Sequence, residues 1–334
     1  FYYAENMTDV DIANSKGKII LVNGIVRLDL FRKILKSGAV GFISMTGTML
    51  DTDENSDLLQ RSTRDTLRAF GNLPAASIRI KDAFEMVKEG ASKVKLTVKG
   101  EFVTRTSHNV VATVPGTDKA DEIVYFGAHF DSVHFSTGVY DNMSGSVIIM
   151  ELLRYFAEHK PARTLKFNWY GSEEQGLLGS KFDVAAHPDV VEKTKLMINV
   201  DVGGCIMGSE MILVTGEQSA VNYIDGLMRE AGLAVAVAQD IYSSDCIPFA
   251  DKGVPAINLC RFGAPGANYI HDRRDNLKSR YIDEKALDIT LQQALVFSKR
   301  VANAKVFPIA KEISPEIRIK VDEYLFKTPK KDEK

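Results

Sequence analysis

Cysteine is scarce in this chain of 334 residues, with only Cys205, Cys246 and Cys260. So sparse and odd a set excludes a disulfide framework, and without a CxxC pair there is no thiolate zinc knuckle; small buried thiols are expected. No apolar run approaches the ~20 residues that a membrane-spanning helix needs. Neither charge dominates: 42 Lys and Arg against 44 Asp and Glu leave a net charge of −2. A protein without a basic face is not expected to have nucleic acid as its main partner. Histidine is absent before His108, so a metal or acid–base site within the first hundred residues is not expected. The Gly-rich phosphate loops, the GxSxG elbow and the HExxH helix are missing too, which removes their chemistries. The chain opens Phe1-Tyr2-Tyr3, with neither Met nor a basic-then-apolar leader. That start is expected of a piece of a longer chain and leaves the compartment, cytoplasmic or secreted, open. Asn6-Met7-Thr8 and Asn142-Met143-Ser144 match the glycosylation sequon, a pattern short enough to occur by chance.

Hydrophobic residues make up 45% of the chain, ample for a core, and its length suits two domains. Residues 1–100 read as a small α/β module. Strands are expected at 17–22, 39–44 and 75–78, helices at 28–37 and 80–89, a polar surface loop at 46–66, and an alternating, half-buried strand at 93–98. Residues 101–303 carry a longer α/β alternation. Strands are expected at 121–127, 164–170, 196–200 and 255–259, and helices at 142–159, through 177–182, at 221–231 and at 282–302. Such alternation predicts a mainly parallel sheet covered by helices on both faces. Residues 304–334 form a C-terminal extension ending in a Lys-rich tail, 327–334, expected to fray.

The acidic residues and histidines fall in a pattern. His129 and Asp131 follow the first strand of the larger domain, and Asp141 precedes its first helix. Glu173 and Glu174 follow the second strand, Asp201 ends the third, and His271 lies beyond the fourth. Ligands of open parallel sheets bind at that carboxyl edge. Nitrogen and oxygen donors in this number suit two divalent ions, with Asp141 bridging, His129 and Asp201 completing one set and Glu174 and His271 the other. Asp131 is placed to accept the second ring N–H of His129. Glu173 is left as general base, and Tyr242 as a hydrogen-bond donor to a tetrahedral oxyanion. Asp275 either orients His271 or caps its segment. Arg261 either meets a substrate carboxylate or pairs on the surface.

Six motifs in order carry a resemblance across 101–303: Gly127-Ala128-His129-Phe130-Asp131-Ser132, Tyr140-Asp141-Asn142-Met143-Ser144-Gly145, Gly171-Ser172-Glu173-Glu174-Gln175-Gly176-Leu177-Leu178-Gly179-Ser180, Asn199-Val200-Asp201, Ser244-Asp245 and Ile270-His271-Asp272. The chain resembles the co-catalytic zinc exopeptidases of peptidase clan MH, specifically the aminopeptidase Y and glutamate carboxypeptidase family. That resemblance implies the zinc exopeptidase fold and two zinc ions. It also implies an aminopeptidase acting on peptides with a free N-terminus, the amine held by Glu173 and Asp201. A carboxypeptidase or dipeptidase on the same metals is the alternative, with Arg261, Arg273 and Arg274 as its candidate cations; a receptor-like or cyclase relative fits less well, because every ligand is retained. Gly17 to Val22 and Gly38 to Ile43 resemble the protease-associated domain often inserted in this family. Asp272 and Cys246 depart from the residues usual there, Thr and His or an aromatic, which bears on specificity.

Overall fold

Parallel pairing organises both compact units of the chain, residues 1–105 and 106–334, as seen in a computed structural model that describes residues 1–24, 26–55, 65–68, 70–101 and 103–327. In the first unit, β1 (Tyr2–Ala4), α1 (Asp9–Ser15), β2 (Ile19–Asn23), α2 (Leu28–Lys36), β3 (Gly41–Thr46), α3 (Asp65–Arg68), β4 (Ala75–Arg79) and α4 (Ile80–Lys88) follow one another. The strands lie in the order β1-β2-β3-β4, every pair parallel. Alternation along β2 sends Ile20 and Val22 to one face, with Phe31 and Ile34 of α2, and Leu21 to the other, with Ala83 of α4. Thr8 and Asp11 close a capping box at the start of α1.

Two readings of this unit need correction. The stretch 93–98 alternates like a strand but joins no ladder; Val94 packs beneath the sheet without strand pairing. Within the expected polar loop, Asp65–Arg68 forms a helical turn, and residues 56–64 lie outside the described residues. The expected fraying of the tail falls on residues 328–334, which also lie outside them.

The second unit contains β5 (Val110–Val114), β6 (Lys119–His129), α5 (Ser144–Glu158), β7 (Arg163–Tyr170), α6 (Leu178–Ala186), α7 (Pro188–Lys193), β8 (Thr194–Val200), β9 (Gly208–Thr215), α8 (Gln218–Glu230), β10 (Ala236–Gln239), α9 (Cys246–Asp251), β11 (Ala256–Gly263), α10 (Glu284–Asn303) and α11 (Pro315–Tyr324). The strand order is β10-β9-β11-β8-β6-β7-β5. Only β11–β9 and β5–β7 are antiparallel. Val124 and Phe126 face a core that includes Ile149, Leu152 and Phe156 of α5 and Phe297 and Val301 of α10. Ile123 and Tyr125 face the opposite core, with Val184 of α6 and Phe249 of α9. Phe126 stacks on Phe167 at 4.7 Å between ring centres. At about 1.5–3 kcal/mol per buried large apolar side chain, these two layers hold the sheet rigid beneath its edge. Because β6, β7, β8 and β11 run the same way, their carboxyl ends emerge together. No helix among the described residues is long and apolar enough to cross a membrane.

Candidate metal centre

Each side chain of the site is delivered by a strand end or by a loop just past one. His129 is the last residue of β6 and is 1% exposed. Its Nε2 lies 3.1 Å from Asp141 Oδ1 and 3.5 Å from Asp201 Oδ1. His271, in the loop after β11, points Nε2 at Asp141 Oδ2 (3.1 Å) and Glu174 Oε2 (3.3 Å). The five residues expected as ligands therefore form two three-residue groups, His129–Asp141–Asp201 and Asp141–Glu174–His271, with the ligand atoms within each group no more than 4.8 Å apart. Asp141 belongs to both, one carboxylate oxygen toward each histidine.

The local backbone explains this convergence. Residues 139–143 form a wide turn ahead of α5, with a cis peptide between Asp141 and Asn142. Asn142 is 1% exposed; its amide donates to the Val200 carbonyl (2.9 Å) and its Oδ1 accepts the Gly145 and Val202 N–H groups. That side chain ties the Asp141 turn to the end of β8, where Asp201 begins. The Asn142 sequon is thereby buried, so the sequence pattern there has a structural use. Gly145 must be glycine, because a Cβ would sit 2.3 Å from the Val200 carbonyl oxygen. Ser146 Oγ holds the His129 carbonyl at 2.8 Å.

Asp131 takes a different part from the one its spacing suggests. The His129 Nδ1 lies 3.0 Å from the Asp131 main-chain carbonyl and 3.7 Å from the carboxylate. The carboxylate turns instead to the loop after β7, where it accepts the N–H groups of Glu173 (3.0 Å) and Glu174 (3.3 Å). Two N–H bonds hold a carboxylate better than one ring N–H, and the carbonyl left over serves the imidazole. Asp131 thus fixes both the ring orientation and the Glu173–Glu174 main chain.

The electrostatics follow from burial. Burial pushes Glu173 well above the usual carboxylate range; the His129 charge opposes this, and Asp245, Asp201 and Glu174 reinforce it. Burial also works against ionised Asp141, yet hydrogen bonds from His129 and His271 hold its carboxyl below the usual range. For His271 burial disfavours the cation, but Asp141 and Glu174 outweigh it and lift the imidazole to about 10. His129 is likewise raised, its burial outweighed by Asp131, Asp141 and Asp201. Glu174 Oε1 is buried without a hydrogen-bond partner. An orphaned carboxylate oxygen, facing a set of nitrogen and oxygen donors, fits a divalent cation.

Tyr242 packs beside Phe262, ring centres 5.6 Å apart. Burial first, then the charges of Asp201 and Asp141, push its phenol well above the ordinary value, so it remains a donor. Arg261 is paired, but with the buried Glu210 (3.0 Å) rather than on the surface, and it also donates to the carbonyls of Cys205 and Ile206. Arg274 pairs with Asp272 through two bonds, at 2.8 and 2.7 Å. The three thiols are buried and free, as expected. His159 and His187 bond within their own helical turns, and neither they nor His108 and His134 join a metal-ligand group.

Sequence reasoning missed Asn142 and gave no role to Asp245. Asp245 is wholly buried with neither carboxylate oxygen hydrogen-bonded, and burial pushes it up to about 7. The Ser-Asp dipeptide was the signal for it; the partners of Asn142 are main-chain groups, which leave none.

Known proteins agree with this architecture. Leucine aminopeptidase 1 of Trichophyton equinum is 40% identical over 126 residues, 34% of this chain and 32% of that protein. Leucine aminopeptidase 2 of Trichophyton rubrum is 31% identical over 223 residues, 65% of this chain and 43% of that protein. The chain therefore spans between about a third and under half of the curated relatives it matches. Among solved structures, an aminopeptidase from Aneurinibacillus sp. strain AM-1 superposes with a TM-score of 0.63 at 26% identity, covering 89% of this chain and 73% of that one. A zinc aminopeptidase from Bacillus subtilis shares the fold, with a TM-score of 0.67 at 21% identity over 95% of this chain and 77% of that one. The sequence pattern of peptidase family M28 matches residues 109–298, from β5 to α10 and through all five candidate ligands, and the chain belongs to that family.

Proposed function

We propose that the protein is a dizinc aminopeptidase, removing residues from the free amino end of peptides. The observation that carries this reading is the pair of ligand groups sharing Asp141, with the orphaned Glu174 Oε1 beside them. His129, Asp141 and Asp201 would hold one zinc ion, and Asp141, Glu174 and His271 the other. Zinc at these positions supplies positive charge that polarises a peptide carbonyl and acidifies water. Glu173 accepts the proton of the attacking water on its carboxylate and delivers it to the departing amine; its Oε2 stands 4.0 Å from His129 Nε2, at the rim of the first group. Asp131 keeps Glu173 in place through its main-chain N–H. Tyr242, kept protonated, is the candidate donor to the oxyanion. Glu173 and Asp201 together offer negative charge to a substrate ammonium. Engagement of the Arg261 fork by Glu210 supports the amino end over the carboxyl end. We also read residues 1–100 as a protease-associated module.

Mass spectrometry of an unblocked peptide, incubated with zinc-loaded protein and with a chelated control, tests the reading. Chelator-sensitive loss of residues from the amino end is expected. Loss from the carboxyl end would move the assignment to a carboxypeptidase, and an intact peptide would overturn it.

A further inference from the structure

Asp275 lies four residues beyond His271, in the loop joining β11 to α10, and its side chain is 0% exposed. Nothing in the reaction above uses it. Its Oδ1 accepts the Tyr140 N–H (2.8 Å) and the Tyr281 hydroxyl (2.6 Å), and its Oδ2 accepts the Asp141 N–H (3.1 Å). Its own carbonyl accepts the hydroxyls of Ser136 (3.3 Å) and Thr137 (3.0 Å). Two N–H groups and two hydroxyls from segment 136–141 thus end on one residue of the His271 loop. That segment presents Asp141, whose Oδ2 lies 3.1 Å from His271 Nε2.

We propose that Asp275 is a positioning residue that ties the loop carrying His271 to the segment carrying Asp141, and so sets the spacing of the Asp141–Glu174–His271 group for a divalent cation. The inference rests on the metal-site reading above. Burying a carboxyl group beside a second one is costly. Mere space-filling would not call for it, whereas holding two main-chain N–H groups at a fixed distance does, because charge-assisted bonds are short and directional. The partners of metal ligands typically contribute to affinity in this way.

The test measures zinc affinity and stoichiometry on the full chain, by competition with a chromophoric chelator, for wild type, Asp275→Asn and Tyr281→Phe. Melting of each metal-free protein serves as the folding control. Asp275→Asn turns one acceptor into a donor facing an N–H. Affinity for the second zinc equivalent is expected to fall about 10–100-fold, with occupancy restored at higher zinc. Tyr281→Phe keeps both main-chain bonds and is expected to lose less. It carries the test if the asparagine variant does not fold. A variant that melts earlier but binds zinc as wild type does would overturn the proposal and leave Asp275 a plain structural residue. Wild-type protein that takes up no zinc would overturn the metal reading and this inference together. Wild-type protein that binds two zinc ions but leaves peptides intact removes only the peptidase reading, and the zinc affinity of Asp275→Asn then still supports or overturns the positioning role.

Discussion

Glu173 and Glu174 are neighbours to which the proposed function gives opposite duties, and the turn that Asp131 holds brings one carboxylate near each group. Glu173→Gln is expected to lower kcat by about 10²–10⁴ with the zinc content of wild type, whereas Glu174→Gln should lose zinc; elemental analysis beside peptide turnover checks both. Protons supply a second prediction. With no cation bound, His271 holds its proton to about 10 and His129 is raised as well. A raised histidine contributes stability that is complete below its unfolded value near 6.5 and is lost as pH climbs through the folded value. Chelated protein should therefore lose stability between about pH 6.5 and 10. Zinc must displace the same protons, so binding at neutral pH is expected to release about one per histidine. Calorimetry in buffers of different ionisation enthalpy reads that number, and zinc binding without proton release would contradict the assignment. The residues that come together at the candidate site were legible because histidine and carboxylates at strand ends have distinctive types and spacing. Their supports were less so. Asn142 and the partners of Asp131 act on main-chain N–H and C=O groups, which every residue carries, while Asp275, read as orienting His271 or capping its segment, bonds to Tyr140, Asp141 and Tyr281.

Among the elements, legibility followed burial. The largely buried strands β6, β7 and β8 and the amphipathic helices α5 and α10 stand where their patterns predict. The strand β9 was missed although it lies inside the sheet: its antiparallel pairing with β11 needs no crossover helix to announce it, and it begins Gly-Ser-Glu. Edge strands β5 and β10 alternate too weakly to read, with Val110 and Val111 both exposed. Helix α11 had a readable start, Ser314 capping the Ile317 N–H ahead of Pro315. This helix braces the segment that carries Tyr242: Ile317 and Val321 pack on Ala250 of α9, Lys320 pairs with Asp240, and the Tyr324 hydroxyl meets Ser243 Oγ at 2.6 Å. Val321 is 0% exposed, so Val321→Asp buries a charge with no partner. We expect about 3 kcal/mol or more of destabilisation, read by denaturant melts, while Lys320→Ala, an exposed pair, should cost under about 1 kcal/mol. Equal effects would mean that α11 is held by its charges rather than by its apolar face.

At the scale of the molecule, the five ligands are what a cation would gather: the end of β6, the turn before α5, the loop after β7, the end of β8 and the loop after β11. Three of those segments hold a residue other than glycine at positive φ, Ser172, Val202 and His271 (61°, 64° and 58°). Such conformations cost of order 1 kcal/mol or more for residues other than glycine and persist only where the surroundings over-determine them. A ligand that binds only the folded state adds about 2.7 kcal/mol when present at a hundred times its dissociation constant. The gain should be local before it is global, because the apolar layers on both faces of the sheet are complete without it. Hydrogen exchange of zinc-loaded against chelated protein is therefore expected to slow most at residues 129–145, 171–177, 201–204 and 264–283. It should change least along β9 and β10, whose strands carry no ligand. Exchange slowing evenly over the whole sheet would show that the cation holds the fold together rather than the site, and a map without change at the five segments would place the zinc elsewhere.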